Sequence, residues 1–395
     1  MQFLVSAGEA SGDLYASGVL HHLKTLLADA TFYGCAGPRL ESAGVNPIVH
    51  AADISVIGLA EVVVHLPRIY GKYRRLVNYA RQHPPTAAIL TDNPDFNLRL
   101  AAQMKRLGIP VFYLVAPQVW AWRQGRVKKI RRVIDKLFCL FPFEERWFRE
   151  RGVDATYIGH PLARMVRPSF SRREFLARHG IAPDSRLVVL LPGSRAGEIE
   201  RHLPVLLETT NLLRTRLKLS VILATPKGYG GHSVLLKFRE RIVASSIQVI
   251  ENETWDCIAH SNLALAASGT VTMEAAVLGT PMVTFYKVNP LSWYGGRHLV
   301  KVPFLSMVNL IAEQRIVPEL IQHDMTPGNL ASAAQELLID RDKVHEMQRE
   351  LARVKEMLTP MHDPLCYVAQ HIVASVARFG GIPSRELNLV RETID

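Results

Sequence analysis

Short apolar runs recur along the chain, and amphipathic stretches of helical length separate them. The runs are Phe3–Ser6, Thr31–Tyr33, Ala87–Leu90, Val111–Val115, Leu137–Leu140, Leu187–Leu191, Ser220–Ala224, Gln248–Ile250, Leu263–Ala266 and Met282–Phe285. Continuous apolar runs alternating with helices predict buried parallel strands joined by right-handed βαβ crossovers. Gly, Pro, Ser, Asp and Asn collect just after the runs, as in AGEASGD, TDNPDFN, APQVWAW, PGSRAGE and ASGTVTME. Open parallel sheets place their ligand sites at these carboxyl ends. Five such ends precede residue 150 and five follow residue 186. The Pro-rich segment Gly159–Ser171 lacks a helical period and reads as a linker. The economical architecture is α/β: two doubly wound, Rossmann-like domains, 1–165 and 166–360, facing a central cleft.

Composition keeps this picture and narrows it. A chain of 395 residues exceeds one comfortable core, and 48% hydrophobic with 21% charged residues is ordinary for a folded enzyme. The opening MQFLVSAGEASGD has no basic stretch followed by a long apolar one, so a secretory signal is not expected. Leu263 to Val283 is the most apolar long stretch, but Glu274, hydroxyls, glycines and a proline interrupt it. Cys35, Cys139, Cys257 and Cys366 stand far apart and read as reduced core residues of a cytoplasmic protein.

Net charge is +11, and residues 1–164 hold 21 Lys/Arg against 13 Asp/Glu. A basic N-terminal half implies an anionic partner: nucleic acid, a phosphorylated ligand or an anionic membrane surface.

In the C-terminal half, a strand runs into Ser268–Gly269–Thr270 and then a helix. Gly269 would permit a tight turn and close ligand approach, and the helix N-terminus would suit a diphosphate. Glu274, one turn further, could accept hydrogen bonds from ribose hydroxyls, or could be a solvated first-turn carboxylate. Arg195 follows the Gly-Ser turn of LLPGSRAGE, where a guanidinium can clamp phosphate oxygens. Neither a Walker A loop nor GxGxxG is present.

In the N-terminal half, TDNPDFN carries Asp92 and Asp95 around Pro94. One is expected to cap the following helix and the other, Asp95, to act as general base toward an acceptor hydroxyl. Glu9 and Asp13 in the first loop are its rivals, with Ser11 and Gly12 beside them. Residues 59–82 have no acidic residue after Glu61, and Ile69, Tyr73, Leu76, Val77 and Ala80 fall on one stripe. That stripe is either core packing or, with Val62, Val63, Val64 and Leu66 and the cations Arg68, Lys72 and Arg75, a contact with an anionic leaflet. Arg123–Arg132 adds six basic residues within ten, a solvated face or a grip on an acceptor phosphate or on headgroups.

Taken together, AGEASGD at 7–13, PDFN at 94–97, QVWAWR at 118–123, GHPL at 159–162, LLPGSR at 190–195, SGTVTMEAA at 268–276 and VPEL at 317–320 resemble the lipid-A-disaccharide synthase family, in order and spacing, to about residue 365. The resemblance implies a GT-B fold and a metal-independent inverting hexosyltransferase. Such an enzyme moves 2,3-diacylglucosamine from UDP to the 6-hydroxyl of 2,3-diacylglucosamine 1-phosphate, giving the β-1,6 lipid A disaccharide. It makes Asp95 the base, places Arg195 on the donor diphosphate and Glu274 on the ribose, and puts Asn309 in the donor site and Trp120 and Arg123 in the acceptor half. It also implies that residues 361–395, with a helix at 364–379, cross back to the N-terminal domain. Two departures stand out. Met307–Val308 replaces the usual Leu-Pro, and Glu313–Gln314 replaces Gly-Arg, with Arg315 one place late.

The expected partners are a UDP-diacylglucosamine donor, a diacylglucosamine 1-phosphate acceptor and an anionic membrane surface, the cytoplasmic face of the inner membrane. A homodimer is compatible with this reading. No cofactor or metal is expected, since no DxD stands at a strand end as a diphosphate–metal clamp and no His/Asp/Glu cluster has ligand spacing. The alternatives are a UDP-sugar epimerase of the same fold, which would lack a lipid-facing basic helix, or a nucleic-acid-binding protein. The latter leaves the apolar residues of 59–82 and the ligand-type strand ends unexplained.

Overall fold

In a computed structural model of the chain, the apolar runs become two parallel sheets. The structure describes residues 1–54, 59–226, 233–289, 293 and 302–378, with the backbone alone for 59–66. The chain divides into two units, residues 1–161 with 360–395, and residues 162–359.

The first unit holds β1 (Gln2–Ala7), β2 (Thr31–Ala36), β3 (Val45–His50), β4 (Ala87–Thr91), β5 (Val111–Leu114), β6 (Lys136–Cys139) and β7 (Ala155–Tyr157). Their order is β3-β2-β1-β4-β5-β6-β7. The second holds β8 (Arg186–Leu191), β9 (Leu219–Thr225), β10 (Gln248–Glu251), β11 (Leu263–Ala267), β12 (Met282–Tyr286) and β13 (Glu319–Ile321), ordered β10-β9-β8-β11-β12-β13. In each sheet the order reverses between two central strands, β1 against β4 and β8 against β11. This is where open α/β sheets leave a crevice for ligand.

The sequence predicted five and five strands; the described residues form seven and six. The three additions, β3, β7 and β13, all lie at sheet edges. Edge strands are short and polar on one side, so the continuous apolar signal of a central strand is missing. The expected linker is also more ordered than its composition suggests. Leu162–Met165 is one helical turn, and Ser171 caps the helix Arg172–Arg178 through a reciprocal contact with Glu174.

The helix Pro364–Arg378 packs against the helix Ala10–Leu26, both within the first unit. It buries Val368, Ala369, Ile372, Val373 and Val376, the i, i+4 stripe of an amphipathic helix. Cys35, Cys139 and Cys257 are buried and reduced, and burial pushes the Cys35 thiol up to about 12. No described helix is long and apolar enough to cross a membrane.

Candidate active site

The crevice of the first sheet is built by the loops after β1 and β4, which pair in register Ala7↔Thr91. Asp92 and Asn93 both adopt left-handed backbone, φ 50° and 34°. That turn swings the Asp92 carboxylate onto the neighbouring loop, where Oδ1 accepts the Gly8 N–H at 2.7 Å and Oδ2 the Glu9 N–H at 3.1 Å. Asp92 therefore holds the loop that leads into the helix Ala10–Leu26, and neither aspartate caps the helix Pro94–Arg106 through its side chain. Gly12 is required here: a Cβ would lie 1.7 Å from Asp92 Oδ2. Burial pushes the Asp92 carboxyl well above the ordinary carboxylate range, against the opposing pull of those N–H groups.

Asn97, the last residue of PDFN, locks the arrangement. Fully buried, it donates to Thr91 O at 2.7 Å and Asp92 O at 3.1 Å, while Ser6 donates to its Oδ1 at 2.7 Å. The Tyr113 hydroxyl also donates to Asp92 O. The loop is thus over-determined, and Asp95 is carried on it as an exposed residue. Arg126 Nη2 bonds Asp95 Oδ1, and Arg123 Nη1 stands 3.6 Å from Oδ2.

Other expected acceptor-loop residues have structural work. Asp13 is buried and accepts the N–H groups of Gly37, Arg39 and Leu40 at 2.9, 2.9 and 3.2 Å, capping the next helix. With its oxygens so committed it is no rival base, which corrects the expectation; Glu9 is exposed and Ser11 half-buried at the same loop. Trp120 is also buried, and its indole N–H donates to Glu144 Oε1 at 3.0 Å. Glu144 in turn accepts the Leu140 and Phe141 N–H groups, each at 3.2 Å. The aromatic loop is anchored at Trp120, while Trp122 is exposed with the Arg123 guanidinium 4.3 Å from its ring centre. Val115 and Arg123 have φ of 65° and 55°, so left-handed backbone flanks this loop. A β-branched residue in that region stores strain, a pattern that clusters at ligand sites.

The basic helix Leu59–Gln82 is partly core. Leu76, Val77 and Ala80 are buried, and Tyr73 packs edge-on against Phe96 at 5.9 Å. Arg68 and Lys72 are not bare cations: both bond Asp53 at 2.6 Å. Ile69 is half-buried and Arg75 exposed, whereas the side chains of Val62, Val63, Val64 and Leu66 lie outside the described ones.

The crevice of the second sheet joins PGSR, after β8, to SGT, after β11, in register Leu191↔Ala266. Gly193 has φ 112°, and a Cβ there would meet Glu198 Oε2 at 2.4 Å. That oxygen accepts the Ser194 and Arg195 N–H groups at 3.2 and 3.3 Å, and Oε1 accepts the Tyr286 hydroxyl at 3.0 Å. His202 Nδ1, 2.7 Å from Pro192 O, ties the same turn from below. Arg195 opens the helix Ala196–Arg214 with its side chain 43% exposed and Nη1 3.6 Å from Glu198 Oε1.

Beside it, Gly269 precedes the helix Thr270–Leu278 with no side-chain cap. The expected tight turn is not there: φ is 173°, extended backbone that any residue adopts. Nothing lies within 4 Å of where a Cβ would sit, so the glycine leaves open room at the helix N-terminus. The Ser268 hydroxyl donates to Leu305 O at 3.0 Å. Glu274 is half-buried; burial raises its carboxyl to about 7, opposed by a hydrogen bond with Trp255. Asn309 is buried and fully engaged within its own loop: its amide donates to Val317 O at 2.9 Å and Glu319 Oε1 at 2.8 Å, and its Oδ1 accepts from the Ile316 and Val317 N–H groups. That pattern positions a loop rather than offering a free contact to a donor.

The lipid-A-disaccharide synthetase family model matches residues 3–372. The chain belongs to this family. A lipid-A-disaccharide synthase of Solibacter usitatus is 55% identical over 357 residues, covering 90% of this chain and 93% of that protein. One from Geobacter metallireducens is 39% identical over 358 residues, covering 90% and 92%. Among solved structures, the UDP-GlcNAc 2-epimerase of Neisseria meningitidis aligns with TM-score 0.60 at 11% identity, covering 96% of this chain and 100% of that one. A glycosyltransferase from Rickettsia africae aligns with TM-score 0.56 at 8% identity, covering 95% and 98%. At such identities the likeness shows the fold, the GT-B fold common to glycosyltransferases and UDP-sugar epimerases. The synthase family is one of glycosyltransferases, so the chain is an enzyme, and the epimerases share its fold alone.

Within this family frame the structure gathers Glu9, Ser11, Gly12 and Asp95 at one crevice and Arg195, Ser268, Gly269 and Thr270 at the other. The sequence motifs assigned no individual role to Glu144, Glu198, Asn97 or Arg126. Glu198 had a signal, since it stands three residues after Arg195 where a first-turn glutamate reaches back to the helix start.

Proposed function

We propose that the chain transfers 2,3-diacylglucosamine from its UDP conjugate to the 6-hydroxyl of 2,3-diacylglucosamine 1-phosphate, with inversion, releasing UDP and the β-1,6-linked disaccharide 1-phosphate. The observation that carries this reading is the pair of preorganised crevice loops. One presents a carboxylate, Asp95, on a scaffold held by Asn97 and Asp92. The other presents a guanidinium, Arg195, beside an uncapped helix N-terminus.

In the proposed mechanism, Asp95 takes the proton as the 6-hydroxyl oxygen attacks the donor's anomeric carbon from the face opposite UDP. The bond to the diphosphate oxygen breaks, and Arg195 with the N–H groups at Thr270 offsets the charge that develops there. Glu274 accepts from the ribose, and Asn309 acts on the donor site by fixing the 306–317 loop. No metal enters the scheme. Residues 1–161 with 360–378 form the acceptor side, and the second unit the donor side.

The helix Leu59–Gln82 docks this enzyme on the cytoplasmic face of the inner membrane, with Arg74, Arg75 and Arg81 toward anionic headgroups. Each contributes on the order of 1 kcal/mol near such a surface. The test is mass-spectrometric assay of the purified chain with donor and acceptor in detergent. Disaccharide and UDP should appear in equal amounts. Conversion of UDP-sugar without acceptor would sink this reading in favour of an epimerase.

A further inference from the structure

The helices Pro94–Arg106 and Val127–Val133 pack side by side and leave an open groove of about 690 Å³ between them. Its charged lining is entirely basic: Lys105, Arg106, Lys128, Lys129 and Arg132. Lys105 is paired, with Asp135 at 2.6 Å. For the other four, no carboxylate partner stands within ion-pair distance among the described residues. Five cations gathered over one groove repel one another, and a fold retains that cost where an anion offsets it.

We propose that this groove seats the phosphate monoester of the acceptor, a dianion, with Lys129 at the end nearest the reacting hydroxyl. The assignment rests on the sugar-phosphate acceptor proposed above and deepens it by naming the subsite.

Three observations orient the ligand. Arg126, next to the lining residue Gly125 and three residues before Lys129, bonds Asp95 directly, so the Gly125 end of the groove lies toward the proposed base. Three helical residues advance about 4.5 Å, comparable to the span of the pyranose ring separating a 6-hydroxyl from an anomeric phosphate. Lys129 is half-buried, and its ammonium is pushed below the usual range, by burial first and then by Arg99 and Arg126, with Asp95 opposing. A cation crowded in this way gains most from concentrated negative charge. A phosphate monoester carries about −1.5 to −2 at neutral pH, more than a bilayer phosphodiester offers at one point. Arg132 and Lys128 flank Lys129 on the rim and can close on the remaining oxygens.

The experiment uses the full chain and two double variants, Lys129→Ala/Arg132→Ala and the all-rim Lys128→Ala/Arg132→Ala. Phosphorus NMR first follows titration with soluble glucosamine 1-phosphate. The parent should shift and broaden the signal, and the variants should lose that effect while keeping the parent's melting temperature. Acceptor kinetics in detergent micelles follow. KM for the phosphorylated acceptor should rise at least roughly 10- to 150-fold, the equivalent of one of the two charge-assisted contacts removed, while the KM ratio between phosphate-free and phosphorylated acceptor collapses toward one.

An unchanged acceptor KM in both variants overturns the proposal. So does a rise that is equal with and without the phosphate. Weakened binding to phosphatidylglycerol vesicles with an intact acceptor KM also overturns it, assigning the groove to bilayer headgroups. If the parent binds glucosamine 1-phosphate and the variants do not, yet neither protein transfers sugar, the subsite stands and the transferase reading falls.

Discussion

Arg126 hydrogen-bonds Asp95 across the mouth of the first crevice, Nη2 to Oδ1, so the carboxylate proposed to take the proton stands beside a cation. The pairing aims the carboxylate while Asn97 and Asp92 hold the backbone beneath it. If Asp95 removes the acceptor proton, Asp95→Asn should lower kcat by ~10²–10⁴ and leave UDP affinity nearly intact. Stopped assays with a parallel UDP titration check this. A variant that keeps more than a third of the parent kcat moves the role to Glu9, the remaining exposed carboxylate of the neighbouring loop.

Arg195 is expected to act on the leaving diphosphate, and Glu198 to hold it there. Arg195→Ala should reduce kcat/KM roughly 10- to 150-fold, the equivalent of a lost hydrogen bond to a charged group. Glu198→Gln should reproduce part of that loss, because it weakens the acceptor for the Ser194 and Arg195 N–H groups without touching substrate. Parent-like kcat/KM in Arg195→Ala removes the residue from the site.

The pH dependence of donor binding should follow Glu274. Its carboxyl is raised to about 7, so it is protonated below that pH and accepts from both ribose hydroxyls only above it. UDP binding should tighten as pH rises from 6 to 8, and Glu274→Gln should flatten that slope, as calorimetry at several pH values would show. The same shift acts on folding with a definite sign. The unfolded chain releases this proton near pH 4.5, before the folded one does. Its stabilising contribution is therefore present below pH 4.5 and is lost as pH rises toward 7.

How much of this was legible in sequence depends on where a residue's partners lie. The central strands announced themselves because both faces are buried, whereas β3, β7 and β13 sit at edges with mixed polarity. Asp95, Arg195 and Glu274 could be singled out as candidates because they stand in the segments that follow apolar runs. Asp13 and Asn309 could not be demoted from sequence, because the N–H groups that occupy them come from Gly37 and Arg39 or from Ile316 and Val317. Trp120, expected in the acceptor half, is held by Glu144, 24 residues on, which accepts its indole N–H. Long-range satisfaction of polar atoms is what a linear pattern does not encode.

The helix Leu59–Gln82 sets two outcomes against each other. Leu76 is fully buried, so Leu76→Ala should cost about 2–5 kcal/mol of stability. Changing Val63, Val64 and Leu66 together to Ser should instead leave the melting temperature within a few degrees and release the enzyme from anionic vesicles. Turnover of detergent-dispersed substrate should survive. A melting temperature lowered by about ten degrees, with vesicle binding unchanged, would make those three residues core and end the docking idea.

Positive charge for the leaving UDP is expected from Arg195 and the helix N-terminus at Thr270. Activity should accordingly persist after exhaustive EDTA treatment. Loss of turnover in EDTA with recovery on adding magnesium or manganese would show that these groups do not suffice.

The helix Pro364–Arg378 completes the first unit only after the whole second unit has been synthesised. On the ribosome, the part of the helix Ala10–Leu26 that Pro364–Arg378 covers stays open while some two hundred further residues emerge. The donor half can therefore reach its native state while the half that opens the chain is still waiting for its last piece. Newly made chains arrested before residue 364 should be the ones that engage chaperones or aggregate, with β8 to β13 already folded beside them.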